Sequence, residues 1–210
     1  MSTLAPPPPR AATPKPQPRP SEAAPVGAAT LDELPLFRMS VEQYHAAIEA
    51  GVFVSGDPIE LLNGILVQKM TKKPAHVVLT ETLADRLRGL HGPGRHVRQE
   101  QPVTLTRSEP EPDLALAEGE RADYRERHPQ GRECVLVVEV ADASRRRDDF
   151  KAALYAEAGV AEYWIVDLNA GRVVVHARPA ADGYESVVEA ESAEFALAGG
   201  VFRVGPEDWA

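Results

Sequence analysis

A mixed β-sheet flanked by helices is the α/β fold class that this 210-residue sequence predicts. Three observations carry that reading. Helical and strand-type periodicities interleave in the order helix, hairpin, helix, several strands, helix, hairpin. The run Cys134-Val-Leu-Val-Val-Glu139-Val140 is almost unbroken in its apolar character, as a strand at the centre of a sheet must be. The regular strand–helix alternation of a doubly wound fold is missing, and so is any Gly-x-Gly-x-x-Gly or phosphate-cradling Gly-rich loop with Lys-Ser/Thr.

The elements follow in chain order. Residues 1 to about 30 are rich in Pro and Ala, with no apolar periodicity, so they are expected to form a disordered, partly extended tail. Its Pro-x-x-Pro spacings can also fit an aromatic groove. A single domain is expected over residues 31–210, its folded part starting near Leu36. Ser40 and Gln43 have the spacing of a capping box, for a helix running to Ala50 and stopping at Gly51. Asn63-Gly64 between Ile59–Leu62 and Ile65–Met70 marks a tight hairpin, because both turn positions need positive φ. Pro74 suits the first turn of a helix to about Leu90, and Leu79, Leu83, Leu87 and Leu90 form its apolar stripe. Arg95 to Leu105 reads as one strand, or as two broken near Pro102. Asp113–Ala117 is a strand, 118–132 a polar loop and Cys134–Val140 the central strand. A helix over Asp148–Ala158 ends at Gly159, with Asp148 and Asp149 complementing its N-terminal dipole. Strands are expected over Glu162–Asp167, over Arg172–Arg178 and, weakly, near Tyr184–Val188. Residues 190–210 show no clear pattern.

Composition narrows the function classes. The net charge is −9, and the first thirty residues carry +2 of it, leaving about −11 for the remainder. That balance argues against a broad nucleic-acid-binding surface, which would concentrate Lys and Arg. It leaves room for a local site in which metal ions offset carboxylates. No apolar run approaches a membrane span, and no signal-peptide core is seen before the prolines. The single Cys134 lies in an apolar run and reads as core, so a reduced, cytoplasmic protein is expected.

The chemistry lies in two acids. Asp113 follows Pro112 and opens an apolar strand, and Glu139 sits at the end of the central one. A charge in such a position is costly unless it is paired or holds a metal. Lys151 follows at the start of a helix, and Glu60 lies in the first hairpin. Hydrolysis of a phosphodiester needs an activated water, charge stabilisation at phosphorus and help for the leaving oxygen. Mg²⁺ can supply all three, with Mn²⁺ as a substitute, from a site of two or three carboxylates. A nearby lysine can orient the water or stabilise the developing charge. Each residue also has an ordinary reading: Asp113 as a strand-edge or turn residue, Glu60 and Lys151 as surface charges. His76 reads more readily as a helix-cap or surface residue than as part of a site rim. Gln99 and Gln101 read as a plain strand pair, Arg145-Arg146-Arg147 as a phosphate contact or a solvated loop, and Tyr163 and Trp164 as core or dimer-interface aromatics.

These residues are set in a longer pattern: Glu60-Leu-Leu-Asn-Gly64, Met70-Thr-Lys-Lys-Pro-Ala-His76, Pro112-Asp113, Val138-Glu139-Val140, Asp148-x-x-Lys151, and Tyr155-Ala-x-x-Gly159-Val-x-Glu162-Tyr-Trp-Ile-Val-Asp167. From about Phe37 to Val188 the chain resembles the Uma-type restriction endonucleases of the PD-(D/E)XK nuclease superfamily. The resemblance implies a restriction-endonuclease-like core. It also implies Mg²⁺ at Asp113 and Glu139 with Glu60 beside them, and DNA as substrate. In the superfamily's usual pattern the lysine lies two residues after the acid, which here is Ala141; Lys151 on the following helix is then the candidate. Restriction-type nucleases often cut two strands with two sites, so a homodimer is a further expectation. Two other classes stay open: a nuclease-fold binding or assembly module without turnover, and a hydrolase of small phosphate esters using the same metal chemistry.

Overall fold

A computed structural model describes residues 35–54, 56–142 and 145–209 of the chain. The tail expected over residues 1–30 lies outside the described residues. The elements run α1 (Val41–Glu49), β1 (Ile59–Leu62), β2 (Ile65–Gln68), α2 (Pro74–Leu90), β3 (Arg95–Gln99), β4 (Leu114–Glu118), β5 (Cys134–Ala141), α3 (Arg146–Glu157), β6 (Glu162–Asp167), β7 (Arg172–Ala180), β8 (Gly183–Ala190), β9 (Ala193–Leu197) and β10 (Gly200–Val204). Six strands form one sheet in the order β3-β4-β5-β6-β7-β8. Every neighbouring pair is antiparallel except β5–β6, which is parallel and joined through α3. The predicted mixed sheet flanked by helices is therefore the observed architecture.

Alternation along the strands decides which helix covers which face. Leu114, Leu116, Leu136, Val138, Val140, Trp164 and Val166 pack with Leu79, Leu83 and Leu87 of α2. Ala115, Val137, Ala141, Tyr163 and Ile165 point the other way and pack with Ala152, Leu154 and Tyr155 of α3. Each fully buried leucine of the α2 stripe contributes roughly 1.5–3 kcal/mol by leaving water. Tyr163 and Trp164 are both fully buried, so of their two readings the core one holds.

Local chemistry explains the element ends. Ser40 and Gln43 form the expected capping box. Asn63 and Gly64 take φ of 48° and 76° in the β1–β2 turn. A Cβ at Gly64 would also lie 2.7 Å from Arg38 Cβ, so the position excludes a side chain twice over. The hairpin is anchored to the segment before β4 by Gly64 N–H to Arg107 O at 2.8 Å and Glu109 N–H to Leu61 O at 2.7 Å.

Three expectations change. The stretch Arg95–Leu105, read as one strand or as two broken near Pro102, is a strand over Arg95–Gln99 and leaves the ladder where Glu100 turns to φ 52°. Helix α3 begins at Arg146, two residues early, which brings Asp148 and Asp149 into its first turn. The unpatterned residues 190–210 form the β9–β10 hairpin and a 3₁₀ turn over Pro206–Asp208. There, Arg86 of α2 grips Asp208 with N–O distances of 2.7 and 3.2 Å. No helix among the described residues is long and apolar enough to cross a membrane.

Candidate active site

Sheet register brings the two acids together. Leu114 pairs with Val138, and one step further along this antiparallel ladder sets Asp113 opposite Glu139. Asp113 N–H donates to Glu139 Oε2 at 3.4 Å, and Val140 N–H donates to Asp113 Oδ2 at 2.8 Å. Glu139 lies two residues before the end of β5, on the face that α3 covers. Lys151 therefore reaches it from above: its ammonium donates to Glu139 Oε1 at 2.9 Å. The same ammonium stands 3.0 Å from Glu60 Oε2. All four residues singled out from the sequence thus converge. They are only 2–5% exposed: Glu60 2%, Asp113 4%, Glu139 5% and Lys151 4%.

They line a cavity of about 500 Å³ that also receives residues the sequence left aside. His76 is the main correction. It is buried rather than on the surface, and its Nε2 lies 3.0 Å from Asp113 Oδ2. One helical turn on, Thr80 Oγ1 lies 3.4 Å from His76 Nδ1. Lys72 adds a contact to Asp113 Oδ1 at 2.8 Å. Asp148, read from sequence as a helix-dipole partner and as part of the Asp148-x-x-Lys151 pattern, lines the cavity as well. Arg147 Nη1 comes to 3.7 Å of Glu60 Oε1, while its Nη2 donates to Gln68 O at 2.8 Å. Arg145 instead pairs with Asp149 and Glu189 away from the cavity. Gln99 is engaged by Arg88, and neither it nor Gln101 lines the cavity. The signal for Lys72 and His76 was their place in the Met70–His76 segment; what they touch was not visible there.

Electrostatics separates the acids. Burial pushes the Glu139 carboxyl up; Lys151 opposes this, and Asp113, Asp148 and Glu60 reinforce it, leaving it at about 8. Asp148 rises for the same first reason, burial, to about 6. Asp113 moves the other way: burial would raise it, but His76 and Lys72 together hold it below the usual carboxylate range. Burial would also lower Lys151, yet Glu139 and Glu60 outweigh it, so the ammonium stays charged throughout the neutral range. One buried atom has no hydrogen-bond partner here: Glu60 Oε1. Among the described residues, no group of three or more His, Cys, Asp or Glu side chains stands in a metal-holding arrangement.

In fold the chain is similar to a solved structure described as a putative nuclease belonging to DUF820 from Anabaena variabilis ATCC 29413. The TM-score is 0.61 and the identity 13%, over 76% of this chain and 89% of that one. No curated protein matches the chain. The family described as Uma2, putative restriction endonuclease, matches residues 41–202, which takes in every cavity residue named above, and the chain belongs to that family.

Proposed function

We propose that this protein is a Mg²⁺-dependent endonuclease that hydrolyses phosphodiester bonds of DNA. The single observation that carries the reading is the convergence of Asp113, Glu139, Glu60 and Lys151 in one cavity. The donor set fits a hard divalent cation. Among the described residues, Glu139 Oε2 is engaged only by the 3.4 Å contact from Asp113 N–H, and Asp113 Oδ1 only by Lys72 in its hydrogen bonds. Glu60 Oε1 is buried without a hydrogen bond. Mg²⁺ takes one or two carboxylates and keeps waters for its other positions, so the absence of a three-residue cluster does not conflict with it. Asp113 and Glu139 would hold the ion, with Glu60 beside them; Mn²⁺ would substitute. Bound there, such an ion would lower the pKa of a water and offset charge at phosphorus.

The chain's own residues have separable tasks. Lys151 keeps its proton, so it is a hydrogen-bond donor and not a general base. Its ammonium donates to Glu139 Oε1 and forms an ion pair with Glu60 Oε2 at 3.0 Å, and a further N–H would serve a water or a phosphate oxygen. Asp148, raised to about 6, is poised to take a proton from a water at neutral pH. Lys69, Lys72 and Arg147 on the cavity wall are paired with lining carboxylates, Glu111, Asp113 and Glu60, so bound cations would have to supply most of the charge that meets a phosphate. The buried, free Cys134 suits a reducing compartment, and we place the protein in the cytoplasm. A homodimer acting on both strands belongs to the same proposal.

A binding module without turnover is the second reading. The observation favouring it is that each carboxylate already has a cationic neighbour: Lys72 at Asp113, Lys151 at Glu139 and at Glu60. One assay separates the two. Purified protein is incubated with single- and double-stranded DNA, RNA and a small phosphodiester, with Mg²⁺ or Mn²⁺. Cleavage of DNA that disappears in Asp113→Ala and in Glu139→Ala supports the nuclease. Cleavage by the double variant at the wild-type rate, or none by the wild type with either metal, overturns it.

A further inference from the structure

The two oxygens of Asp113 are held by very different groups. Oδ2 accepts from the backbone of Val140 inside β5 and meets His76 on α2, both buried and fixed by the fold. Oδ1 takes the ammonium of Lys72, which belongs to the irregular segment before α2. The Lys72 side chain is 33% exposed, and its Nζ also stands 2.9 Å from Glu100 Oε1. Glu100 is itself tied to the site, since its N–H donates to Asp113 O at 3.1 Å. Lys72 thus has a second carboxylate within reach at the solvent side. Lys151 has no such freedom: it and both its partners are buried.

We propose that Lys72 is an exchangeable counter-ion of Asp113. It holds Oδ1 in the cation-free protein and moves over to Glu100 when a divalent cation takes that oxygen. This rests on the metal-dependent reading of the site. The physical case is direct. An ammonium and a divalent cation on one carboxylate oxygen repel each other, so the arrival of the cation weakens the hold on the ammonium. Lys72 can leave without exposing a bare charge, because Glu100 receives it and Asp113 gains the cation. Lys151 is held in place, because it is shared by two buried carboxylates, Glu139 and Glu60, and its departure would cost both.

The test uses the full chain and Mn²⁺ alone, without substrate. Lysines are acylated with and without Mn²⁺ and quantified by mass spectrometry. Lys72 is expected to react several-fold faster with Mn²⁺ present, while Lys151 stays unreactive. Lys73, whose Nζ donates to Asp142 O, serves as the internal reference and stays unchanged. Calorimetric titration gives the second readout. Removing this competing pair, of which only the Lys72 side is partly exposed, is expected to tighten Mn²⁺ binding about 3- to 10-fold in Lys72→Met. Lys73→Met, which removes a neighbouring charge, should change it less than twofold. If the wild type binds Mn²⁺ but Lys72 labelling is unchanged and Lys72→Met is no tighter than Lys73→Met, the exchange is wrong and the metal site stands. If neither wild type nor Lys72→Met takes up Mn²⁺, the metal reading fails and the exchange falls with it.

Discussion

Replacing Lys151 by Met keeps an unbranched side chain of similar length in α3 and removes one buried charge. In the wild type that ammonium lies 2.9 Å from Glu139 Oε1 and 3.0 Å from Glu60 Oε2. Breaking a buried pair from one side typically costs about 3–5 kcal/mol, because the remaining charge is left uncompensated. Glu60 keeps a second cation within reach, Arg147 Nη1 at 3.7 Å from its Oε1. The cost therefore belongs at the lower end of that range, roughly 3 kcal/mol. For a chain of this size each kcal/mol is about 2–4 °C in Tm. Metal-free Lys151→Met should therefore melt roughly 6–12 °C lower than wild type at pH 7, read by calorimetry. A loss of less than about 2 °C would mean that Lys151 contributes packing alone, and the charge argument would be refuted.

Three more outcomes follow from the same geometry. In the metal-free protein Glu139→Gln removes a carboxyl whose folded value, about 8, lies above its unfolded one. The wild type loses stability as pH rises between those values, so the variant should gain on it by a few kcal/mol between pH 5 and pH 8.5, and a gap independent of pH in urea melts would contradict this. Asp113→Asn acts oppositely: the wild-type carboxylate, held low by His76 and Lys72, contributes stability above its unfolded value that fades as pH falls through the folded one. The variant should be less stable by roughly 1–3 kcal/mol at pH 7, with the difference shrinking toward pH 3; chemical unfolding across that range checks it. Gly64→Ala meets both a φ of 76° and the Arg38 Cβ at 2.7 Å, and should cost roughly 2 kcal/mol in thermal melts at any pH.

What could be read without coordinates was local. The Ser40–Gln43 box, the Asn63-Gly64 turn, the Pro74 start and the leucine stripe of α2 are short-range features whose physics lies within a few residues, and each appears where expected. The apolar run around Glu139 marked a central strand for the same reason. The β9–β10 hairpin also had a local signal, Ala198-Gly199-Gly200 between alternating runs, and its short strands hid it.

The sequence by itself determined the element types, the mixed sheet and the two acids too costly to be idle. Only the tertiary structure decided what those acids touch. The β4–β5 register sets Asp113 opposite Glu139, and the side-chain period of two aims Glu139 at α3. The parallel β5–α3–β6 crossover then carries Lys151 back over the sheet to it. His76 arrives from the first turn of α2 and Lys72 from the segment just before it, 37 and 41 residues away in sequence from Asp113. No periodicity encodes such a meeting, because it depends on where whole elements pack and not on what each residue prefers.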